Sequence, residues 1–163
     1  MSQAQRSPTP SPSSQPSSQT SSTADQPRPV ELRYAETEVD AVEIHRFLVK
    51  VAGPVLRCEV DIVKSLMEVL RVVQQEAALM LMDGDELVGT MGIMKVTWWY
   101  GAGEFMTDRW HFALPGQPSE ALLDEAVEIA HAAGLDFIHQ GKIRERKGIY
   151  RGRPTLYAVE KED

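Results

Sequence analysis

From Ala77 to Leu114 the chain carries strand-length runs in immediate succession, and this stretch limits what the remainder can fold into. Ala77 to Met82 is a short apolar run. Asp83-Gly84-Asp85-Glu86 follows, with the glycine and aspartates that a tight hairpin turn requires. Leu87 to Tyr100 is rich in Val, Thr, Trp and Ile, the residues that fit a pleated, half-buried surface. Gly101-Ala102-Gly103 interrupts it, and Glu104 to Leu114 reads as a further strand that stops at Pro115-Gly116. Strands joined by short turns pair antiparallel. An apolar sheet of this kind must then be covered by other elements.

The flanking segments supply the cover. Ser119 to Ala133 is the clearest helix, with Leu122, Leu123, Ala126, Ile129 and Ala130 on one side and Gly134 at the left-handed capping position. Upstream, Val30 to Tyr34 alternates as a short strand. Thr37 is a helix N-cap, and Glu38 and Asp40 lie in the first turn, where the helix dipole favours acids. Ile44, Leu48 and Val51 follow at helical spacing, and Gly53-Pro54 is expected to end that helix. Asp61 caps a second helix with the stripe Ile62, Leu66, Leu70 and Val73. Downstream come a short strand at Leu135 to His139, a basic stretch that makes a poor helix, and a last strand at Pro154 to Glu160. The expected class is mixed α/β (α+β), with a mostly antiparallel sheet flanked by helices.

Composition sets the outer bounds. With 163 residues and a hydrophobic fraction of 42%, the chain can build one packed core. No apolar run approaches the roughly 20 residues of a membrane span, and no apolar segment follows the early Arg6 as a secretory signal would. Cys58 is the single cysteine, so an intramolecular disulfide and a cysteine metal site are both excluded; a reducing cytoplasm is the expected compartment. A net charge of −7 argues against a general nucleic-acid binder. Residues 1–29 consist of Ser, Pro, Gln and Thr with almost nothing apolar, too little to offset the entropy of ordering. They are expected to form a disordered tail, a tether or simply a solvated extension, before a folded domain at 30–163.

Several segments resemble the acyl-CoA N-acyltransferase (GNAT) family. Met82-Asp83-Gly84-Asp85-Glu86-Leu87-Val88-Gly89-Thr90 looks like the family's hairpin between the second and third strands. Phe112-Ala113-Leu114-Pro115 looks like the end of the fourth strand, Glu120 to Gly134 like the helix after the phosphate loop, and Arg146-Lys147-Gly148-Ile149-Tyr150 like the segment before the last strands. The element order is also similar, over roughly residues 34 to 160. The resemblance implies acetyl transfer from acetyl-CoA to a small-molecule or protein amine, by direct attack. In that family the fourth strand splays from the fifth, and its free backbone pairs with the pantetheine arm. Carried over, the arm lies along Phe112, Ala113 and Leu114, and the pyrophosphate over Gly116, Gln117, Pro118, Ser119 and Glu120. The loop departs from the family's pattern of an Arg or Gln followed by two glycines. It has one glycine, Pro118 donates no N–H, and Glu120 brings a negative charge toward the phosphates. The same loop also reads as an ordinary helix start with Pro118 as its first residue.

Acid–base work requires a proton acceptor for the amine. Asp108 and His111 on the expected fourth strand are the candidates, with Glu104 at its start. Strict alternation puts Asp108, Trp110 and Phe112 on one face and Arg109 and His111 on the other. The tyrosine that often acts as an acid in the helix after strand five has Arg144-Glu145-Arg146 in its place, and Tyr150 reads as an edge residue. His45, His131 and His139 have no metal-binding spacing, and no metal is expected. Trp98, Trp99 and Tyr100 cannot all face one core; they suit an acceptor pocket or a sheet covered on both sides. The basic run Lys142, Arg144, Arg146, Lys147, Arg151 and Arg153 suits cofactor phosphates, an acidic partner, nucleic acid or a solvated face. The expected function is an N-acetyltransferase. The rival is a catalytically inactive module of the same fold acting through binding, such as an assembly or virion-associated protein. Oligomeric state and acceptor are not encoded legibly.

Overall fold

A computed structural model describes residues 29–56, 59–97, 103–141, 144–146, 149–151 and 154–160. Its order is β1 (Glu31–Tyr34), α1 (Glu38–Leu56), α2 (Ile62–Gln75), β2 (Ala77–Asp83), β3 (Glu86–Thr97), β4 (Glu104–Ala113), α3 (Ser119–Ala132), β5 (Phe137–His139), β6 (Arg144–Arg146), β7 (Ile149–Arg151) and β8 (Thr155–Tyr157). Six strands form a sheet in the order β1-β2-β3-β4-β5-β8, and β6 and β7 pair separately. Every neighbour in the large sheet is antiparallel except β4 and β5. The sheet class and the meander expected from Ala77 to Leu114 are therefore present.

The two sheet faces bury separate cores. On one face α1 and α2 pack through Ala41, Ile44, Phe47, Val69 and Val72 against Ala78, Met80, Met82, Leu87 and Trp110. On the other, α3 packs through Leu122, Ala126 and Ala130 against Leu79, Leu81, Met91 and Ile93. The strand β2 supplies both cores by alternation, which is why its middle is apolar throughout. The stripe expected on α2 is rotated: Val69 and Val72 are its buried residues, while Ile62 is exposed. Periodicity fixes a helix's apolar side only to within a residue or so when Ile, Val and Met adjoin.

Local chemistry explains the helix starts. The Asp40 carboxylate is met only by donors: its Oδ2 accepts from the Thr37 and Glu36 amides at 2.9 and 3.1 Å and from the Thr37 hydroxyl at 2.7 Å. Thr37 Oγ1 in turn accepts from the Asp40 amide at 3.1 Å, a reciprocal capping box. Arg33 of β1 completes the shell at 2.8 Å. Asp61 caps α2 by accepting from the Lys64 amide at 2.9 Å. The first helix does not stop at Gly53-Pro54 but runs on to Leu56. Proline removes one i→i−4 bond, and the last turn survives that loss. The poor helix expected after β5 is replaced by the β6–β7 hairpin, where Arg146 pairs with Ile149 and leaves a two-residue connection.

A buried histidine joins α1 to α2. His45 Nε2 lies 2.9 Å from Ser65 Oγ. That hydroxyl already donates to the Asp61 carbonyl at 2.7 Å, so the ring nitrogen is the donor. Burial pushes the His45 pKa below 6.5. The native state therefore disfavours the protonated ring, and stability should fall as pH drops from about 6.5 toward the depressed value, then level off. Thermal melts at pH 7.5 and 5.5 should show this loss in the native chain and a smaller one in His45→Gln, which keeps a donor but cannot titrate. Equal losses in both would remove His45 as the cause.

The N-terminal tail, Trp98-Trp99-Tyr100, Cys58 and the side chains of the basic run and Tyr150 lie outside the described residues. Among the described residues, no helix is long and apolar enough to cross a membrane.

Candidate functional site

The site begins with an irregularity in β4. Gly92 of β3 pairs with Trp110, but Ile93 pairs with Asp108, so Arg109 is an extra residue opposite that step. This bulge breaks the alternation expected from the sequence. Asp108 does not share a face with Trp110. It aligns with Ile93, which packs on the α3 side, while Trp110 packs on the α1–α2 side. Arg109 turns the same way as Trp110 and pairs with Glu68 of α2 at 3.0 Å. His111 aligns with Met91 on the α3 side. The bulge thus brings Asp108 and His111 to one face, contrary to the expectation that they oppose each other.

The bulge lies where the Trp110 indole covers Gly92. A Cβ at Gly92 would lie 2.6 Å from the Trp110 indole, so the indole occupies the space a side chain would fill. Trp110 Nε1 donates to Thr90 Oγ1 at 3.2 Å, and Thr90 donates to the Leu79 carbonyl at 2.8 Å. An isolated glycine inside a strand signals a bulge or a close approach. Gly92 was therefore the available sequence signal.

On its other edge β4 pairs with β5 only briefly, Met106 with Phe137 and Thr107 with Ile138. Thr107 Oγ1 donates to the Ile138 carbonyl at 2.6 Å and closes this short ladder. Beyond it, side chains replace the ladder. The Gln140 amide donates to Asp108 Oδ1 at 2.6 Å, and Gln140 Nε2 donates to Thr107 Oγ1 at 3.2 Å. Among the described residues, no strand pairs with β4 on this edge after Thr107. Leu114 donates to the Val88 carbonyl at 2.8 Å, so by the alternation of an antiparallel ladder Phe112 and Leu114 direct their backbone to β3. His111 and Ala113 direct theirs to the open edge. Of the expected arm-binding residues, Ala113 turns its backbone to that edge; Phe112 and Leu114 contribute side chains to the α1–α2 core and the cores' margin.

His139 stands at the point of divergence. Its Nδ1 is 3.4 Å from Asp108 Oδ1, and the two side chains retain 13% and 7% of their exposure. That separation is long for a hydrogen bond, and Nδ1 is sealed from solvent without a well-aligned partner. The His139 and His111 rings meet edge-on with centroids 5.2 Å apart. His111 Nε2 lies 3.2 Å from the Ser119 carbonyl at the start of α3, where the ring must be the donor. Sequence spacing missed His139, because a parallel strand pairing 31 residues away brings it to Asp108.

The loop from Pro115 to Glu120 meets this edge. Gly116 has a positive φ of 85°, and a Cβ there would touch nothing within 4 Å. The helix α3 starts at Ser119, as its periodicity implied; Pro118 is its N-cap and not its first residue, and no side chain caps the helix. An open helix start favours an anion. Two loop amides are already used, Gln117 on the Leu114 carbonyl at 3.2 Å and Ser119 on the Gln117 carbonyl at 2.8 Å. The edge of β4 presents backbone groups, while the loop offers an anion fewer donors than a glycine-rich one.

No protein-family model matches the chain, and no curated protein sequence matches it. Solved structures do. A GNAT family acetyltransferase from Staphylococcus aureus aligns with a TM-score of 0.52 at 13% identity, over 80% of this chain and 98% of that one. The ribosomal-protein-alanine N-acetyltransferase of Brucella melitensis aligns at 0.51 and 15% identity, over 68% and 77%. A transcriptional regulator from Bacillus halodurans aligns at 0.54 and 19% identity, over 68% and 79%. The chain has the acyl-CoA N-acyltransferase fold of the GNAT acetyltransferases.

Proposed function

We propose that the protein transfers an acetyl group from acetyl-CoA to an amine by direct attack. The observation that supports this most is the edge of β4 after Thr107, which no strand among the described residues pairs with, and which runs on to an α3 start that no side chain caps. An extended pantetheine arm satisfies such an edge as a strand would. Asp108 and His111 bring a carboxylate and an imidazole to the same side, beside the divergence. Gly116, Gln117, Pro118, Ser119 and Glu120 would face the pyrophosphate. Free thiol released from acetyl-CoA, dependent on added amine, is the test; no release above the hydrolytic background with any amine in a broad panel would refute it.

The loop makes its own prediction. Glu120 lies in the first turn of α3, exposed, where its charge opposes a bound phosphate. Glu120→Gln should tighten CoA binding by a factor of a few, about 0.3–1 kcal/mol. An unchanged or weaker affinity at fixed salt would show that the pyrophosphate does not sit there. The second reading is a binding module without catalysis. It is favoured by the internally bonded Gln117 and Ser119 amides and by Pro118, which has none to give. Such a module would neither bind CoA nor release thiol.

A further inference from the structure

We propose that His139 is the proton acceptor of the site, and that Asp108 is a positioning residue that fixes the tautomer of its ring. This rests on the acetyl-transfer reading and assigns the base within it.

Asp108 is poorly placed to take a proton itself. Its side chain is 7% exposed, and its Oδ1 already accepts from the Gln140 amide at 2.6 Å. One of its oxygens is therefore committed to a backbone N–H. The ring between it and the open edge is His139. Asp108 Oδ1 lies 3.4 Å from Nδ1, too far for a good hydrogen bond, but a carboxylate oxygen facing that sealed nitrogen favours a proton there over a lone pair. The lone pair then lies on Nε2, the nitrogen turned away from the carboxylate. This is the division of labour by which a buried carboxylate prepares an imidazole as a base. The carboxylate also stabilises the imidazolium that forms.

His111 fills a different role. Its Nε2 faces the Ser119 carbonyl at 3.2 Å, so that nitrogen carries a proton and ties β4 to the start of α3. Its ring stands edge-on against His139 and limits how the latter can turn. Among the described residues, the titratable groups that meet His139 are Asp108 and His111, both from β4. At the same register on β8 stands Thr155, which is neutral. His139 adjoins the last β4–β5 pair, Thr107 with Ile138, so it sits where the two strands stop pairing.

The step balances as follows. The ammonium of the acceptor gives one proton to His139 Nε2, and the nitrogen lone pair so exposed forms the new C–N bond. The C–S bond of the thioester breaks and its electron pair leaves on sulfur; the nitrogen, now bonded to the acetyl carbon, gives its second proton to that thiolate, and His139 releases the first to solvent.

Two measurements test this. The first compares two amines with acetyl-CoA at pH 7. Ethanolamine is an ammonium ion there and needs a base, whereas hydroxylamine is already neutral. His139→Gln should lower transfer to ethanolamine about 100-fold, the scale of general-base catalysis. Transfer to hydroxylamine and CoA affinity should change less than about twofold. Equal losses with both amines, or no loss with either, would overturn the assignment while leaving the acetyltransferase intact. A native protein that transfers to no amine would instead fail the acetyltransferase reading, and the assignment with it. The second measurement needs no turnover: nitrogen chemical shifts of the imidazoles in the full chain. The neutral His139 ring should carry its proton on Nδ1 in the native protein and shift toward the Nε2 form in Asp108→Asn. A native ring protonated on Nε2 would refute the proposal even if every variant misfolded.

Discussion

Trp110→Ala is expected to lower stability by about 3–5 kcal/mol, the range for deleting a buried tryptophan. The indole is 8% exposed and fills the space above Gly92. Its removal leaves a cavity in the core beneath α1 and α2 and takes the Nε1 donor from Thr90. Gly92→Val attacks the same contact from the other strand, because its side chain would occupy the indole's place; overpacking of this kind costs about 1–3 kcal/mol. The two substitutions should not be additive, since each disrupts one contact. Urea denaturation of both single variants and the double variant measures this. A Trp110→Ala loss below about 1 kcal/mol would mean that the bulge is held by something other than the indole.

Asp40→Ala is expected to cost about 2–3 kcal/mol, because several donors lose one charged acceptor at once. Burial alone would raise the Asp40 pKa, but hydrogen bonds from Thr37, Arg33 and the Glu36 and Thr37 amides outweigh it and hold it down to about 2, against an ordinary 3.8. The sign follows from the depressed value. The contribution is full above about 3.8 and is lost as pH falls through about 2. It therefore occupies a lower window than that of His45. Acid titration of stability should show two separate declines, and Asp40→Asn should flatten the lower one only. A variant that keeps the whole low-pH decline would place its source in other carboxylates.

Tyr34 offers a smaller version of the same logic. Its hydroxyl donates to Glu125 and so ties β1 to α3; that bond, burial and the carboxylate's charge raise the phenol's pKa to about 12. The phenol stays protonated throughout the physiological range and remains a donor.

What the sequence made legible is what local chemistry decides. Thr37 and Asp61 announced their helices because an N-cap acts on amides two or three residues away. Asp83-Gly84-Asp85-Glu86 announced the hairpin because Gly84 takes a φ of 61°. The α3 helix was readable from Leu122, Ala126 and Ala130, all on one side and all buried. Non-local pairing was not readable. Strict alternation put Asp108 beside Trp110, and one extra residue at Arg109 reversed that. The only hint was Gly92, a glycine in a strand whose purpose is clear once the indole lies on it. His139 was set aside for lack of a partner at helical spacing, yet its partner is on the neighbouring strand. Pro54 illustrates the opposite limit: its local rule is real, but it removes only one bond from a helix whose other contacts hold.

The central claim is that the open edge of β4 and the start of α3 together hold acetyl-CoA. Calorimetric titration of the full chain with acetyl-CoA, beside Gly116→Val, tests it most directly. Gly116 has a φ of 85° and open space around it, so valine there strains the loop and crowds an approaching phosphate without touching the core. Saturable binding at one site per chain is expected, weakened several-fold or more in Gly116→Val, with a melting temperature lower by several degrees because the strained backbone costs about 1–3 kcal/mol. No heat of binding at millimolar acetyl-CoA in the native protein, or equal affinity in the variant, would contradict it.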